Sequence, residues 1–380
     1  MTESYQTADV VVVGGGVIGL TVARALALRG VRNVVLIERS SLGAESSWAA
    51  AGMLAPQAEA DCADEFFHFC CQSRDMYPAF AAALLEESGI DIELEITGTL
   101  YLAFTDADVN ELEKRFEWQS GAGLQIERFD AEIAQLIEPS ISPQVRAALK
   151  FPLDTQVENR RLMSALANSN EKLGVRLLTG TTVESLKIEH GSVVGVETSL
   201  GFVATGRVVL ASGAWTSLLK NLYARSNLRI EPVRGQMLCF EANPQICNHV
   251  IYSPRGYLVP RSDGRLLAGS TTEHAGFDKR VTATGVQSIL SAALEISPRV
   301  GSLGLKASWA GLRPCAPDNL PVLGACAEIE GVFYATGHYR NGILLAPLTG
   351  ELIAQAIVED EGSPLLNVFS PDRFDIVTVN

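Results

Sequence analysis

The chain has 380 residues, room for about two domains of ordinary size. Hydrophobic residues make up 47% and charged residues 19%, which excludes disordered, collagen-like and coiled-coil architectures and leaves ample material for a large core. The net charge of −14 repels phosphate backbones, so no nucleic-acid partner is expected.

In chain order, Val10–Val13 is an unbroken β-branched run, the pattern of a strand buried on both faces. Gly14-Gly15-Gly16 forces a tight turn, 17–27 has helical character and stops at Gly30, and Val34–Ile37 is a second buried strand. Together they predict a βαβ unit of a parallel sheet. The segment 46–54 (SSWAAAGML) is small and apolar; 66–88 reads as a helix; 92–104 reads as strands with Gly98 between them. A charged surface helix is expected at 107–120 and another helix at 160–173, stopped by Gly174. From 175 to 210 the period shifts towards two, with turns at His190-Gly191 and Leu200-Gly201, as in a small meander ending in a buried strand at 207–210. Strands of a second sheet are expected at 233–240, 257–260 and 265–269. Near the end come a strand at 332–335, a loop at 337–342 and a helix at 344–358, with Pro347 placed in its first turn.

No repeat, low-complexity tract or linker separates the domains, so they are expected to interleave. The start, MTESYQTADV, lacks the basic region of a secretory signal, and the apolar run 10–23 is shorter than the ~18 residues of a membrane span. Seven cysteines without a C-x-x-C pair fit reduced thiols in the cytoplasm. The five histidines are scattered, so no metal site is expected, and hydrolase elbows and P-loops have no motif here.

Gly14-x-Gly16-x-x-Gly19 lies between strand and helix. The first glycine permits the turn, the second lets a pyrophosphate approach the backbone, and the third lets the helix pack close to the sheet. The helix start turns its partial positive charge to the phosphates. Glu38 ends the second strand, 24 residues after Gly14, where a carboxylate can accept from ribose hydroxyls. The register indicates a dinucleotide but does not separate NAD from FAD.

Further segments bear on that choice: ESSWAAAGMLA (45–55), VVLASGAW (208–215), GYLVPRSDGRLLAGSTTEHAG (256–276), WAGLRP (309–314), PDNLPVLG (317–324) and GHYRNGILLAP (337–347). With them the chain resembles the glycine oxidase branch of the D-amino-acid oxidase family of FAD flavoproteins, from the first strand to the last helix. The resemblance implies an α/β fold in which a Rossmann-type FAD-binding domain (1–88, 152–224 and 322–380) interleaves with a mainly antiparallel substrate domain (89–151 and 225–321). It places Val17, Ile18, Glu38 and Arg39 at the adenosine and phosphate end. Ser46, Ser47, Ala51, Gly52 and Met53 lie along pyrophosphate and flavin, and the backbone of Val183 meets the adenine. His338, Tyr339, Arg340, Asn341, Gly342, Ile343 and Leu344 border the flavin pyrimidine, where amides at a helix start would stabilise developing negative charge. As residues alone, Val17, Ile18, Ala51 and Val183 would serve equally as core, Met53 as a core filler and His338 as a packed loop histidine.

An amino-acid carboxylate favours arginine for bidentate recognition. The resemblance puts Arg313 on that carboxylate, Tyr257 beside it and Arg340 near flavin and substrate. An interdomain ion pair for Arg313 and loop salt bridges for Arg340 are the plain alternatives. Tyr252 reads more readily as a core aromatic. Arg255 stands where relatives carry another polar residue near the entrance, and Cys315 lies several residues beyond the position of a flavin-tethering cysteine, so FAD is expected to be non-covalent. The implied reaction is hydride transfer from a small amino acid, glycine first, with oxygen as acceptor, giving glyoxylate, ammonia and hydrogen peroxide, with no side-chain base. Quinone-linked dehydrogenases and sarcosine or D-amino-acid oxidases are the rivals. The resemblance further implies a homotetramer and a link to thiamine thiazole biosynthesis.

Overall fold

The computed structural model describes residues 6–220, 222, 228–359 and 362–374. The domain boundary expected at 224/225 lies outside them.

The βαβ unit forms as the sequence indicates. Val10–Val13 pairs in parallel with Val34–Ile37, and Val17–Leu28 is the helix between them. The sheet around them has six strands, in the order Val322–Ala325, Val332–Thr336, Val208–Leu210, Val10–Val13, Val34–Ile37, Arg176–Leu178, and only the first pair is antiparallel. Alternation along its strands divides the core. Val10, Val12, Val34 and Leu36 join the apolar cluster of the helices, while Val11, Val13, Val35 and Ile37 join the cluster of a small second sheet. Helix Gly342–Glu359 approaches Val17–Leu28 closely through Gly350, where a Cβ would lie 2.6 Å from the Thr21 methyl. Gly342–Glu359 is long and apolar enough to cross a membrane by composition, yet 72% of it is buried as a core helix.

The expected 175–210 meander divides. Val183–Glu189, Ser192–Thr198 and Gly201–Ala204 form a sheet with Gln6–Thr7, whereas Arg176–Leu178 and Val208–Leu210 join the central sheet. Their partners lie far away in sequence, so local periodicity carries no sign of the division.

The largest sheet has eight strands: Gly304–Cys315, Glu231–Glu241, Arg265–Gly269, Gly256–Pro260, Val250–Ser253, Thr99–Ala103, Ala147–Phe151, Glu127–Asp130. All neighbours are antiparallel except Val250–Ser253 with Thr99–Ala103. Of the strands expected at 92–104, only Thr99–Ala103 joins it. Glu93 has φ +53°, a left-handed turn that an extended strand cannot contain.

The last helix begins two residues before the expected 344, at Gly342, which moves Pro347 out of the first turn. Proline has no N–H for the Ile343 carbonyl. Tyr77 Oη donates to that carbonyl instead, and Ser73 Oγ donates to Leu344 O at 2.7 Å while accepting from Leu348 N at 3.4 Å. Both side chains come from helix Glu65–Ser88, one turn apart.

Candidate active site

The motifs converge on one cavity of about 470 Å³. Gly14 stands at φ +112°, and a Cβ there would sit 2.4 Å from Ala211 O. A Cβ on Gly19 would sit 1.9 Å from Gly14 O, so the third glycine allows helix and turn to touch; Gly19 lies behind the cavity wall rather than on it. The helix start at Gly16 has no side-chain cap and faces the cavity, and Val17 N donates to Ser47 Oγ at 3.0 Å. Glu38 accepts from Gly15 N at 2.8 Å and Ser40 N at 2.9 Å, which fixes its carboxylate at the cavity edge. An uncapped helix start, a glycine cradle and an anchored acid suit the phosphates and ribose of a dinucleotide.

Ile18, Arg39, Ser46, Ser47, Ala51, Gly52, Met53 and Val183 also line this cavity. Arg39 lies over the Trp215 ring at 3.9 Å and pairs with Glu45 at 2.7 Å. At the other end the wall includes His338, Tyr339, Arg340, Asn341, Gly342 and Ile343. Leu344 does not line it: this side chain is buried in the apolar core of the helices. His338 is 3% exposed with Nε2 3.1 Å from Thr349 Oγ1, and burial lowers its pKa to about 3, so it is neutral at ordinary pH. Tyr339 N donates to Pro314 O at 2.8 Å, tying this loop to the strand that carries Arg313.

Arg313 and Tyr257 lie where the large sheet meets the cavity. Arg313 donates to Ser270 Oγ at 2.8 Å and Thr271 O at 3.1 Å, and among the described residues it forms no ion pair. Burial pulls its pKa below the usual arginine range. Glycines cushion both side chains: a Cβ on Gly235 would meet the Arg313 guanidinium at 2.4 Å, and one on Gly269 the Tyr257 ring at 2.6 Å. Tyr257 is 6% exposed, with Oη 3.3 Å from Met237 Sδ. Arg340 does form a loop ion pair, with Glu59 at 3.5 Å, and its pKa is raised chiefly by that carboxylate.

Arg255 stands away from this cavity. It pairs with Asp108 at 2.7 Å and with Glu295, stapling helices Asp106–Gly121 and Ala283–Ile296 to the large sheet. Cys315 also lies off the wall, its Sγ 3.1 Å from Asn319 Oδ1. Tyr252 stacks between Tyr101 and Tyr257, with centroids 5.3 Å and 5.9 Å away.

Sequence reasoning missed Glu59, Met237 and Arg261. No local signal singles out Glu59, the first of several acids (with Asp61, Asp64 and Glu65) after the apolar AAAGMLA run. Arg261 is 3% exposed and donates to Ala51 O, to Val157 O at 2.8 Å and to Gln156 Oε1 at 3.1 Å, fixing the backbone beside Gly52 and Met53. Burial lowers its pKa to about 10.

A Rossmann sheet whose first turn opens into a cavity ending beside two arginines and a buried tyrosine defines a dinucleotide-dependent oxidoreductase. The chain belongs to the FAD dependent oxidoreductase family, whose model matches residues 9–356, and FAD is its cofactor. It is 37% identical to the glycine oxidase of Geobacillus kaustophilus over 98% of both chains. The crystal structure of glycine oxidase from that organism superposes with a TM-score of 0.91 at 36% identity, covering 96% of this chain and 98% of that one. It is also 37% identical to the bifunctional protein ThiO/ThiG of Trichormus variabilis over 97% of this chain, spanning only 55% of that relative's length.

Proposed function

We propose that this chain oxidises glycine to glyoxylate and ammonia, consuming oxygen and water and releasing hydrogen peroxide, and that it also accepts small amines such as sarcosine, which would give glyoxylate and methylamine, and D-alanine, which would give pyruvate and ammonia. The observation that carries the reading is Arg313, a desolvated guanidinium on the cavity wall with no carboxylate partner among the described residues. Such a group fits a substrate carboxylate. Bound FAD supplies the two-electron acceptor, and Gly14, Gly16, Glu38 and the start of the helix from Val17 would hold it non-covalently. Cys315 lies off the cavity wall, which supports the non-covalent reading. Arg313 orients the substrate through its carboxylate, with Tyr257 alongside, while Met53 and Met237 limit its size. Burial makes His338 a weak base and its Nε2 is engaged with Thr349, so it is assigned no proton transfer and the amine is taken as bound unprotonated. The start of Gly342–Glu359 turns amides towards the cavity and favours negative charge there.

The same reading assigns 1–88, 152–224 and 322–380 to the FAD part and 89–151 and 225–321 to the substrate part. Each sheet supports it, the six-stranded drawing its strands from the first set and the eight-stranded from the second. Likeness to ThiO/ThiG proteins supports a place in thiamine thiazole biosynthesis.

Anaerobic mixing with glycine, sarcosine, D-alanine, D-proline and bulky D- and L-amino acids, followed by loss of flavin colour, tests the substrate. Glycine and sarcosine should bleach fastest. Faster bleaching by D-phenylalanine would overturn the assignment. Comparing reoxidation by oxygen and by a quinone analogue identifies the acceptor.

A further inference from the structure

The second arginine of the substrate end is engaged. Arg340 reaches Glu59 at 3.5 Å and donates to Tyr252 Oη at 3.1 Å, and Tyr252 Oη is itself 3.4 Å from Glu59 Oε1. Arg313 lies within electrostatic reach of both Arg340 and Glu59, and all three side chains belong to the cavity wall.

Glu59 is held in place from behind. It ends the single helical turn Pro56–Glu59. Asp154, fully buried, accepts from Gln57 N at 3.2 Å and Ala58 N at 3.0 Å at the start of that turn. Arg115 donates to Gln57 O at 3.3 Å, Ala58 O at 3.2 Å and Ala60 O at its end. A buried acceptor thus holds the amide end of the turn and a guanidinium holds its carbonyl end. Neither Asp154 nor Arg115 lines the cavity. These two buried side chains fix where one carboxylate stands beside two guanidinia.

We propose that Glu59 sets the charge of the substrate: by neutralising Arg340 it leaves Arg313 as the guanidinium open to a carboxylate, so the chamber takes amino acids with one carboxylate and rejects those with two. The proposal rests on the amino-acid reading above. A second carboxylate would meet an arginine already paired and an acid of its own sign, a repulsion that discriminates between ligands of similar size.

The test is titration of flavin absorbance in the holoenzyme with acetate and with malonate. In the unaltered protein acetate should bind at least about tenfold more tightly than malonate. Glu59→Gln should shift the ratio of the two dissociation constants towards malonate by about tenfold or more. Adding Arg340→Gln to Glu59→Gln should abolish that shift. Equal binding of the two acids by the unaltered protein overturns the proposal without any variant. An unchanged ratio in Glu59→Gln overturns it, as does a shift that survives loss of Arg340. If acetate leaves the flavin unperturbed and glycine does not bleach it, the amino-acid reading falls and this assignment falls with it.

Discussion

Replacing Arg313 by methionine keeps most of the side-chain volume and removes the guanidinium. In the ligand-free fold that group donates to Ser270 Oγ at 2.8 Å and Thr271 O at 3.1 Å. Its pKa is lowered by burial, so the folded chain carries this cation at a cost. Losing two hydrogen bonds to neutral acceptors costs about 1 kcal/mol each, and release of a desolvated charge offsets much of that. Stability should therefore change by no more than about 1 kcal/mol. Substrate binding is different. A carboxylate would lose two charge-assisted bonds of roughly 1.5–3 kcal/mol each, together about 3–6 kcal/mol, or roughly two to four powers of ten in kcat/KM. Glycine turnover, FAD content and the urea unfolding midpoint should be measured on the same preparations. The expected result is collapsed turnover with FAD and midpoint retained. Arg313→Lys should recover only part of the activity, since an ammonium lacks the planar fork. Near-normal turnover in Arg313→Met would remove Arg313 from the carboxylate site. A fall of several kcal/mol in stability together with FAD loss would mean that the residue holds the fold instead.

Asp154 is raised from 3.8 to about 7 by burial, so between those pH values the folded chain keeps a proton that the unfolded chain releases. Its contribution to stability is full below pH 4 and is lost as pH rises through 7, by at most about 4 kcal/mol. Asp154→Asn should therefore gain stability relative to the unaltered protein as pH rises from 4 to 7; parallel curves in denaturant titrations at several pH values would refute this. Tyr77→Phe leaves the Ile343 carbonyl, which Pro347 cannot serve, without its donor in a fully buried place, and should cost about 1–3 kcal/mol in urea unfolding. Gly235→Ala sets a methyl 2.4 Å from the Arg313 guanidinium and should raise KM for glycine while FAD content stays full; an unchanged KM would show that the arginine has room to move.

How much of this was legible in the sequence differs from feature to feature. The βαβ unit could be read directly, because a β-branched run, a glycine turn and an apolar helix are local properties of Val10–Leu28. So could the convergence of the motifs: all but Gly19 and Leu344 of the expected site residues stand on the cavity wall. Those two depart for reasons of packing, Gly19 touching the Gly14 backbone and Leu344 turned into the core.

The sequence by itself determined the glycine turn and helix start at one end of the cavity, because glycine spacing encodes that backbone geometry. Only the tertiary structure decided the charge of the other end. Glu59 and Arg340 lie 281 residues apart, and Ala51 and Arg261 lie 210 apart. Whether an arginine is free or paired depends on which carboxylate the folded chain brings beside it and how much water it removes. Both are properties of the assembled surroundings, and no window of local sequence contains them.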